Sequence, residues 1–282
     1  MHPFFLPSVA GKIFCIYYPP PPDTKCQGNI LFIPPFAEEL NRSRHMISRQ
    51  ARWLAQQGYA VLVPDLYGTG DSQGTYAEAN PHIWHGDLQS ALSWLQQKSD
   101  AEICFWSLRT GALLLPGLLR HPNIQPNHID TLRLVLWAPV LKGKNFIVQF
   151  LRIKTAAALT QGSNTTALTT KALQEQLDQG QTIEIGGYSL TPQMASELSQ
   201  IQLSDLPLPA AANIRWFEMG SEDSDQIPPA ANKLLATWQT KSANITAKTL
   251  KGPAFWTLQE PEWSNLLIDE TLQAVKSVFN DT

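Results

Sequence analysis

The residues from Ala101 to Leu115, Ala-Glu-Ile-Cys-Phe-Trp-Ser-Leu-Arg-Thr-Gly-Ala-Leu-Leu-Leu, constrain the fold more than any other stretch. Ile103 to Trp106 reads as a buried strand, and an apolar helix opens at Thr110 after a sharp turn. A turn that carries a strand directly into a helix is strained, and it lifts one side chain above the sheet. The pattern usual for such a turn is Gly-x-Ser-x-Gly, with the serine at its apex. Taking Gly111 as the last glycine puts Ser107 in the first glycine slot and Arg109 at the apex. Arginine has no acceptor atom and stays protonated to a pH above about 12, so it cannot be activated for attack.

The segments around this unit alternate between strand and helix. Phe4 to Leu6 and Ile13 to Tyr17 predict a hairpin turning at Ala10-Gly11, and Pro19 to Pro22 a stiff connection onward. Asn29 to Ile33 and Tyr59 to Val63 are continuous apolar runs, as in parallel strands covered on both faces. Between them, Ser43 to Gln57 has a helical stripe of Met46, Ile47, Ala51 and Leu54, stopped by Gly58. Asn80-Pro81 opens a helix to about Lys98. Leu132 to Ala138 is the sixth strand.

The rhythm breaks from 141 to 209. That segment holds a basic amphipathic helix (Lys142, Lys144, Arg152 and Lys154 among Phe146, Ile147, Phe150 and Leu151). A polar stretch from Gln161 to Thr170 and a second helix near Lys171 to Gln179 follow. We read it as a cap inserted between the sixth and seventh strands of a mostly parallel, doubly wound α/β sheet, with residues 1–140 and 210–282 forming the core. The rhythm resumes with a strand at Ile214 to Met219, a helix from Pro229 to Thr240, a strand at Asn244 to Leu250 and a last helix from Trp263 to Phe279.

Composition narrows the function classes. A net charge of −3 argues against non-specific nucleic-acid binding. Three cysteines without CxxC spacing suggest neither a disulfide framework nor a zinc site, and no metal or other cofactor is expected. Cys104, inside an apolar run, reads as a small core residue. No apolar stretch approaches the roughly 20 residues that span a bilayer. The N-terminal Met-His-Pro-Phe-Phe-Leu-Pro lacks the basic start of a secretory leader, so a cytoplasmic protein is expected.

An apical turn after a central strand is the nucleophile elbow of the α/β-hydrolase fold, whose triad runs nucleophile, acid, histidine along the chain. Gly220 to Pro228 matches the acid loop, with Asp223 the best candidate and Asp225 the second. The turn after the next strand, Leu250-Lys-Gly-Pro-Ala-Phe-Trp256, puts Phe255 in the histidine slot. Phenylalanine neither takes nor gives a proton, so a general base is missing there. The six histidines (His2, His45, His82, His85, His121 and His128) all precede the acid loop.

Five stretches together resemble the exosortase A system-associated hydrolases of type 2, a branch of the α/β-hydrolase superfamily. They are Pro34-Pro-Phe-Ala-Glu-Glu-Leu-Asn41, Asp65-Leu-Tyr-Gly-Thr-Gly-Asp-Ser72, Trp106-Ser-Leu-Arg-Thr-Gly-Ala112, Gln149-Phe-Leu-Arg152 and Gly252-Pro-Ala-Phe-Trp256. The resemblance runs over nearly the whole chain. It implies a bacterial protein in a sorting and exopolysaccharide context, with a protein of that system as a possible partner. Arg109 and Phe255 depart from the wider superfamily.

The polar groups left at this edge suggest an anion site. A helix N-terminus already favours negative charge, and a guanidinium adds five donors. Glu38 and Glu39, in the loop after the third strand, offer two alternatives: one of them neutralises Arg109 in an ion pair, or Arg109 faces a ligand. Phe36, Ala37, Glu39, Ser107, Thr110 and Trp256 are the candidate ligand-binding residues, and Arg109, Asp223 and Glu38 the candidates for any chemistry. The expectation is a pocket for a small anionic or acyl-type molecule without serine-type turnover. The competing expectation is an esterase- or thioesterase-like hydrolase that uses Glu38 or a water it activates.

Overall fold

The computed structural model describes residues 1–120, 131–160, 168–209, 211–220, 226–241 and 243–280. Eight strands form one sheet in the spatial order β1-β2-β4-β3-β5-β6-β9-β10. They are β1 (His2–Pro7), β2 (Lys12–Tyr18), β3 (Gly28–Ile33), β4 (Tyr59–Pro64), β5 (Ile103–Leu108), β6 (Thr131–Trp137), β9 (Ala211–Gly220) and β10 (Asn244–Lys251). The first hairpin pairs antiparallel with itself and with β4, and every later pairing is parallel. The mostly parallel, doubly wound sheet expected from the apolar runs is therefore present.

The central strands are buried along their length because both faces are covered. Successive side chains point to opposite faces, and β3 shows the consequence. Leu31 and Ile33 join one core cluster, and Ile30 and Phe32 join the other. The first cluster is completed by α2 (Pro81–Gln96), α3 (Gly111–Leu119) and α7 (Pro229–Gln239), the second by α1 (Glu38–Gln56) and α8 (Asn265–Asn280). Each fully buried Leu, Ile or Phe contributes about 1.5–3 kcal/mol of transfer free energy. Asn80 caps α2 as its sequence suggests, its side chain accepting from the Ile83 N–H at 3.0 Å with Pro81 in the first turn.

The chain between the neighbouring strands β6 and β9 holds α4 (Gly143–Thr160), α5 (Thr170–Asp178), a hairpin of β7 (Ile183–Ile185) and β8 (Tyr188–Leu190), and α6 (Pro192–Gln200). Sequence reading found the first two helices and missed the rest. The hairpin strands are three residues each, too short for a periodic signal. They turn on Gly186 and Gly187, both at positive φ, as a tight two-residue hairpin requires. α6 was missed although it carries a start signal: Thr191 caps it, accepting from the Met194 N–H, and Pro192 occupies its first turn.

One boundary moved in a way that matters for the site. α1 begins at Glu38 rather than Ser43, so Pro34-Pro35-Phe36 leads into a helix whose first turn carries two glutamates. Negative charge there is favoured by the helix dipole and the unpaired N–H groups. The polar stretch 161–167, the acid loop positions Asp223 and Asp225, and His121 and His128 lie outside the described residues. Among the described residues, no helix is long and apolar enough to cross a membrane.

Candidate functional site

Arg109 stands at the apex of the turn between β5 and α3 with φ 52°, a left-handed conformation that few non-glycine residues adopt. Its backbone is fixed from both sides. The Arg109 N–H donates to Trp137 O at 2.9 Å, and its carbonyl accepts from Val140 N at 3.1 Å and Ala112 N at 3.2 Å. Gly111 lets α3 approach β3: a Cβ at that position would lie 2.2 Å from Ile33 O. Two other non-glycine residues at positive φ surround Arg109, Ala37 (53°) after β3 and Ala138 (43°) after β6. Strained backbone gathers at sites whose surroundings over-determine it.

The guanidinium is held in three directions. Nε donates to Glu39 Oε1 at 3.0 Å, and Nη1 donates to Ala138 O at 3.1 Å. The indole of Trp256 lies against the cation at 5.2 Å. Its remaining N–H groups have no protein partner among the described residues. Of the two glutamates, Glu39 is therefore the one that neutralises Arg109. The pair is mostly buried, with side chains 21% and 18% exposed. Burial pushes the Glu39 carboxyl above its ordinary range, and the Arg109 charge and hydrogen bond pull it partly back. Its Oε2 is buried without a hydrogen-bond partner among the described residues. Glu218, near the end of β9, accepts from Trp216 Nε1 at 2.8 Å. Burial raises its pKa as well, against the lowering effect of the Arg109 charge.

Glu38 is arranged differently. Its side chain is 46% exposed, pairs with Arg42 at 3.4 Å, and accepts from the Tyr188 hydroxyl at 3.1 Å. Tyr188 also accepts from Asn41 Nδ2 at 2.6 Å, so the β7–β8 hairpin is tied to the first turns of α1. Burial and the Glu38 charge push the Tyr188 phenol up to about 12.

Phe36, Glu38, Glu39, Arg109 and Trp256 line one cavity of about 560 Å³. Its opposite wall comes from the segment between β6 and β9, chiefly Phe146, Gln149, Phe150, Ile185 and Tyr188. Phe36 meets Phe146 and Phe150 edge-on, each at 5.2 Å between ring centroids. A largely apolar pocket with a few convergent polar groups is the usual form of a small-molecule site.

The other sequence candidates fall elsewhere. Ser107 is wholly buried within β5, with no partner for its hydroxyl among the described residues. Thr110 is buried and accepts from the Phe36 N–H at 2.7 Å, which braces the loop after β3. Ala37 is buried and shapes the backbone without lining the cavity. Phe255 is 1% exposed in a short 3-10 turn, packed edge-on against Trp137 (6.1 Å) and Trp256 (5.1 Å). The basic residues in and just before α4 do not reinforce the site. Lys142, Lys144 and Arg152 are exposed, and Lys154 donates to Glu184 O at 2.8 Å. It is the apolar face of α4 that lines the cavity. Among the described residues no group of His, Cys, Asp or Glu could hold a metal ion.

Sequence reasoning missed Gln149, Ile185, Tyr188 and Glu218. The Phe146 and Phe150 spacing marked an amphipathic helix but not what its apolar face meets. The hairpin carried only the Gly186-Gly187 pair as a signal.

The X-Pro dipeptidyl-peptidase (S15 family) profile matches residues 15–112, a stretch that ends just past the elbow. No curated protein matches the chain. Solved structures match it end to end at low identity. A highly thermostable carboxyl esterase from Bacillus coagulans, in complex with glycerol, aligns with TM-score 0.62 and 14% identity over 99% of this chain and 98% of that one. Est1E from Butyrivibrio proteoclasticus, bound to ferulic acid, aligns with TM-score 0.61 and 13% identity over 99% and 98%. A putative α/β hydrolase of unknown function from Agrobacterium tumefaciens aligns with TM-score 0.56 and 15% identity over 99% and 97%. Together with the strand order and the elbow, these likenesses establish that the chain has the α/β-hydrolase fold.

Proposed function

We propose that this chain is a ligand-binding protein on a hydrolase fold. It holds a small anionic or acyl-type molecule against Arg109 and does not carry out serine-type turnover. The observation that carries the reading is the apex of the elbow, where Arg109 opens onto the cavity. A guanidinium in a low-dielectric pocket is a strong, directional receptor for a carboxylate or similar anion. The aromatic wall opposite it suits an acyl or aryl body. Phe255, packed in the core, leaves the elbow without the base that hydrolysis requires.

In this reading the segment 141–209 is a cap, and the β7–β8 hairpin closes its rim through Tyr188. Glu38, 46% exposed and paired with Arg42 and Tyr188, then serves the cavity mouth. The resemblance to the exosortase A system-associated hydrolases adds a setting: a bacterial cytoplasmic protein acting beside a protein-sorting and exopolysaccharide system, with a protein of that system as a partner.

A serine-directed fluorophosphonate probe and a panel of short acyl esters test the reading. The purified protein is expected to remain unlabelled and to leave the esters intact, while its melting temperature rises with aryl or acyl carboxylates. Covalent labelling in the cavity, or turnover abolished by Glu38→Gln, would establish the hydrolase instead.

A further inference from the structure

Among the described residues, the cavity that we read as a carboxylate site carries no excess positive charge: its charged lining residues are Glu38, Glu39, Arg42 and Arg109, two of each sign. Arg109 meets any ligand already neutralised by Glu39, at 3.0 Å from its Nε. An anion placed on the free guanidinium donors therefore comes close to a carboxylate that is itself shielded from water. A second negative charge brought beside a buried carboxylate disfavours that carboxylate's charged form. Glu39 is bound to Arg109 through Oε1 alone, and its Oε2 has no partner among the described residues. Among the described residues no hydrogen bond holds that second oxygen in its charged form; only the dipole of α1 favours it.

We propose that the site binds a monocarboxylate with an aryl or acyl body together with one proton, and that Glu39 is the residue that takes the proton. This rests on the reading of the cavity as an anion site. The balance is simple: ligand carboxylate plus one proton from solvent gives ligand carboxylate on Arg109 beside a neutral Glu39 carboxyl. The Arg109 charge is transferred from an internal partner to the ligand, and no net charge enters the low-dielectric pocket. A dianion such as a phosphate monoester would leave a surplus negative charge, so the site selects monoanions.

The groups around Glu39 are consistent with this assignment. Arg109 faces it from the elbow, and Glu38 and Arg42 lie on its own helix. The phenol of Tyr76, on the loop after β4, is held well above its ordinary range by burial, with the Glu39 charge contributing. That phenol and Tyr188 stay protonated throughout the working range. Among the described residues, Glu218, reached through the Arg109 charge, is the one other carboxyl whose pKa burial raises beside this cation. The Glu39 carboxyl is itself displaced upward, which shortens its way to protonation.

Calorimetric titration with hydrocinnamate and with phenylethanesulfonate, each in two buffers of different ionisation enthalpy, measures the protons taken up on binding. The sulfonate cannot be protonated, so any proton it brings sits on the protein. The unaltered protein is expected to take up close to one proton per ligand near neutral pH. Its affinity should rise by up to about tenfold per unit as pH falls. Glu39→Gln should bind both probes with no uptake and a flat pH profile, and Glu218→Gln should keep the uptake. Binding without uptake by the unaltered protein would overturn the proposal while leaving the anion site standing. So would uptake that persists in Glu39→Gln or vanishes in Glu218→Gln. Failure of the unaltered protein to bind either probe, or any other aryl or acyl monoanion, would remove the anion site and this proposal with it.

Discussion

Arg109 Nε and Glu39 Oε1, 70 positions apart in the chain, lie 3.0 Å apart at the top of the sheet. The pair joins the first turn of α1, just after β3, to the turn after β5, where the fold elsewhere assembles an oxyanion hole and a nucleophile. Breaking a buried pair from one side strands the other charge. Arg109→Met is therefore expected to lower stability by about 2–4 kcal/mol, somewhat less than full burial would give. Adding Glu39→Gln should recover most of that loss. Denaturant unfolding of the two single variants and the double variant checks it, and strictly additive losses would mean that the pair is not coupled.

The Glu39 carboxyl also gives stability a pH signature. Its pKa in the folded protein lies above the ordinary value of 4.5. Its contribution is thus fully present below that value and is lost as pH rises through the folded pKa. Relative to Glu39→Gln, the unaltered protein should gain stability as pH falls from 7 toward 4.5. Melting both proteins across that range measures the sign, and a constant difference would show that Glu39 is not perturbed.

Gly111 is expected to be irreplaceable for a packing reason. A Cβ there would stand 2.2 Å from the Ile33 carbonyl, a backbone atom, so β3 or the elbow helix would have to shift. Gly111→Ala should cost about 2–3 kcal/mol by overpacking. A melting temperature within a degree of the unaltered protein would show that α3 moves more freely than its burial implies.

Restoring the serine alone should not restore hydrolysis. Arg109→Ser recreates the usual apex residue, but Phe255 remains sealed between Trp137 and Trp256 and supplies no base. The variant is expected to stay unlabelled by a fluorophosphonate. Adding Phe255→His buries a polar ring among indoles and should cost roughly 2–3 kcal/mol. Rapid labelling of the single variant would mean that another group activates the serine.

These expectations show which features the sequence carried. The central strands were legible because β3, β4, β5 and β6 are mostly apolar runs, and Asn80-Pro81 and Gly58 marked helix ends. The elbow was legible because Gly111 follows a buried run at the right spacing. The choice between Glu38 and Glu39 was not. Both stand in the same turn of α1, and only the direction of each side chain from that turn sends one inward to Arg109 and the other outward to Arg42. The far wall of the cavity was equally hidden. Which residues of α4 and the β7–β8 hairpin face Arg109 depends on how the segment after β6 folds back across the sheet, a non-local arrangement with no periodic trace in the chain.

The central claim is that Arg109 receives the anionic end of the ligand, and direct binding to a variant with the charge pair removed tests it most closely. Hydrocinnamate and its neutral amide would be titrated at one fixed pH into the unaltered protein and into Arg109→Met with Glu39→Gln. The account predicts that the unaltered protein prefers the carboxylate. It also predicts that the double variant binds the carboxylate about tenfold or more weakly, the range of a charge-assisted hydrogen bond, while its affinity for the amide changes little. Equal carboxylate affinity in the two proteins would contradict it.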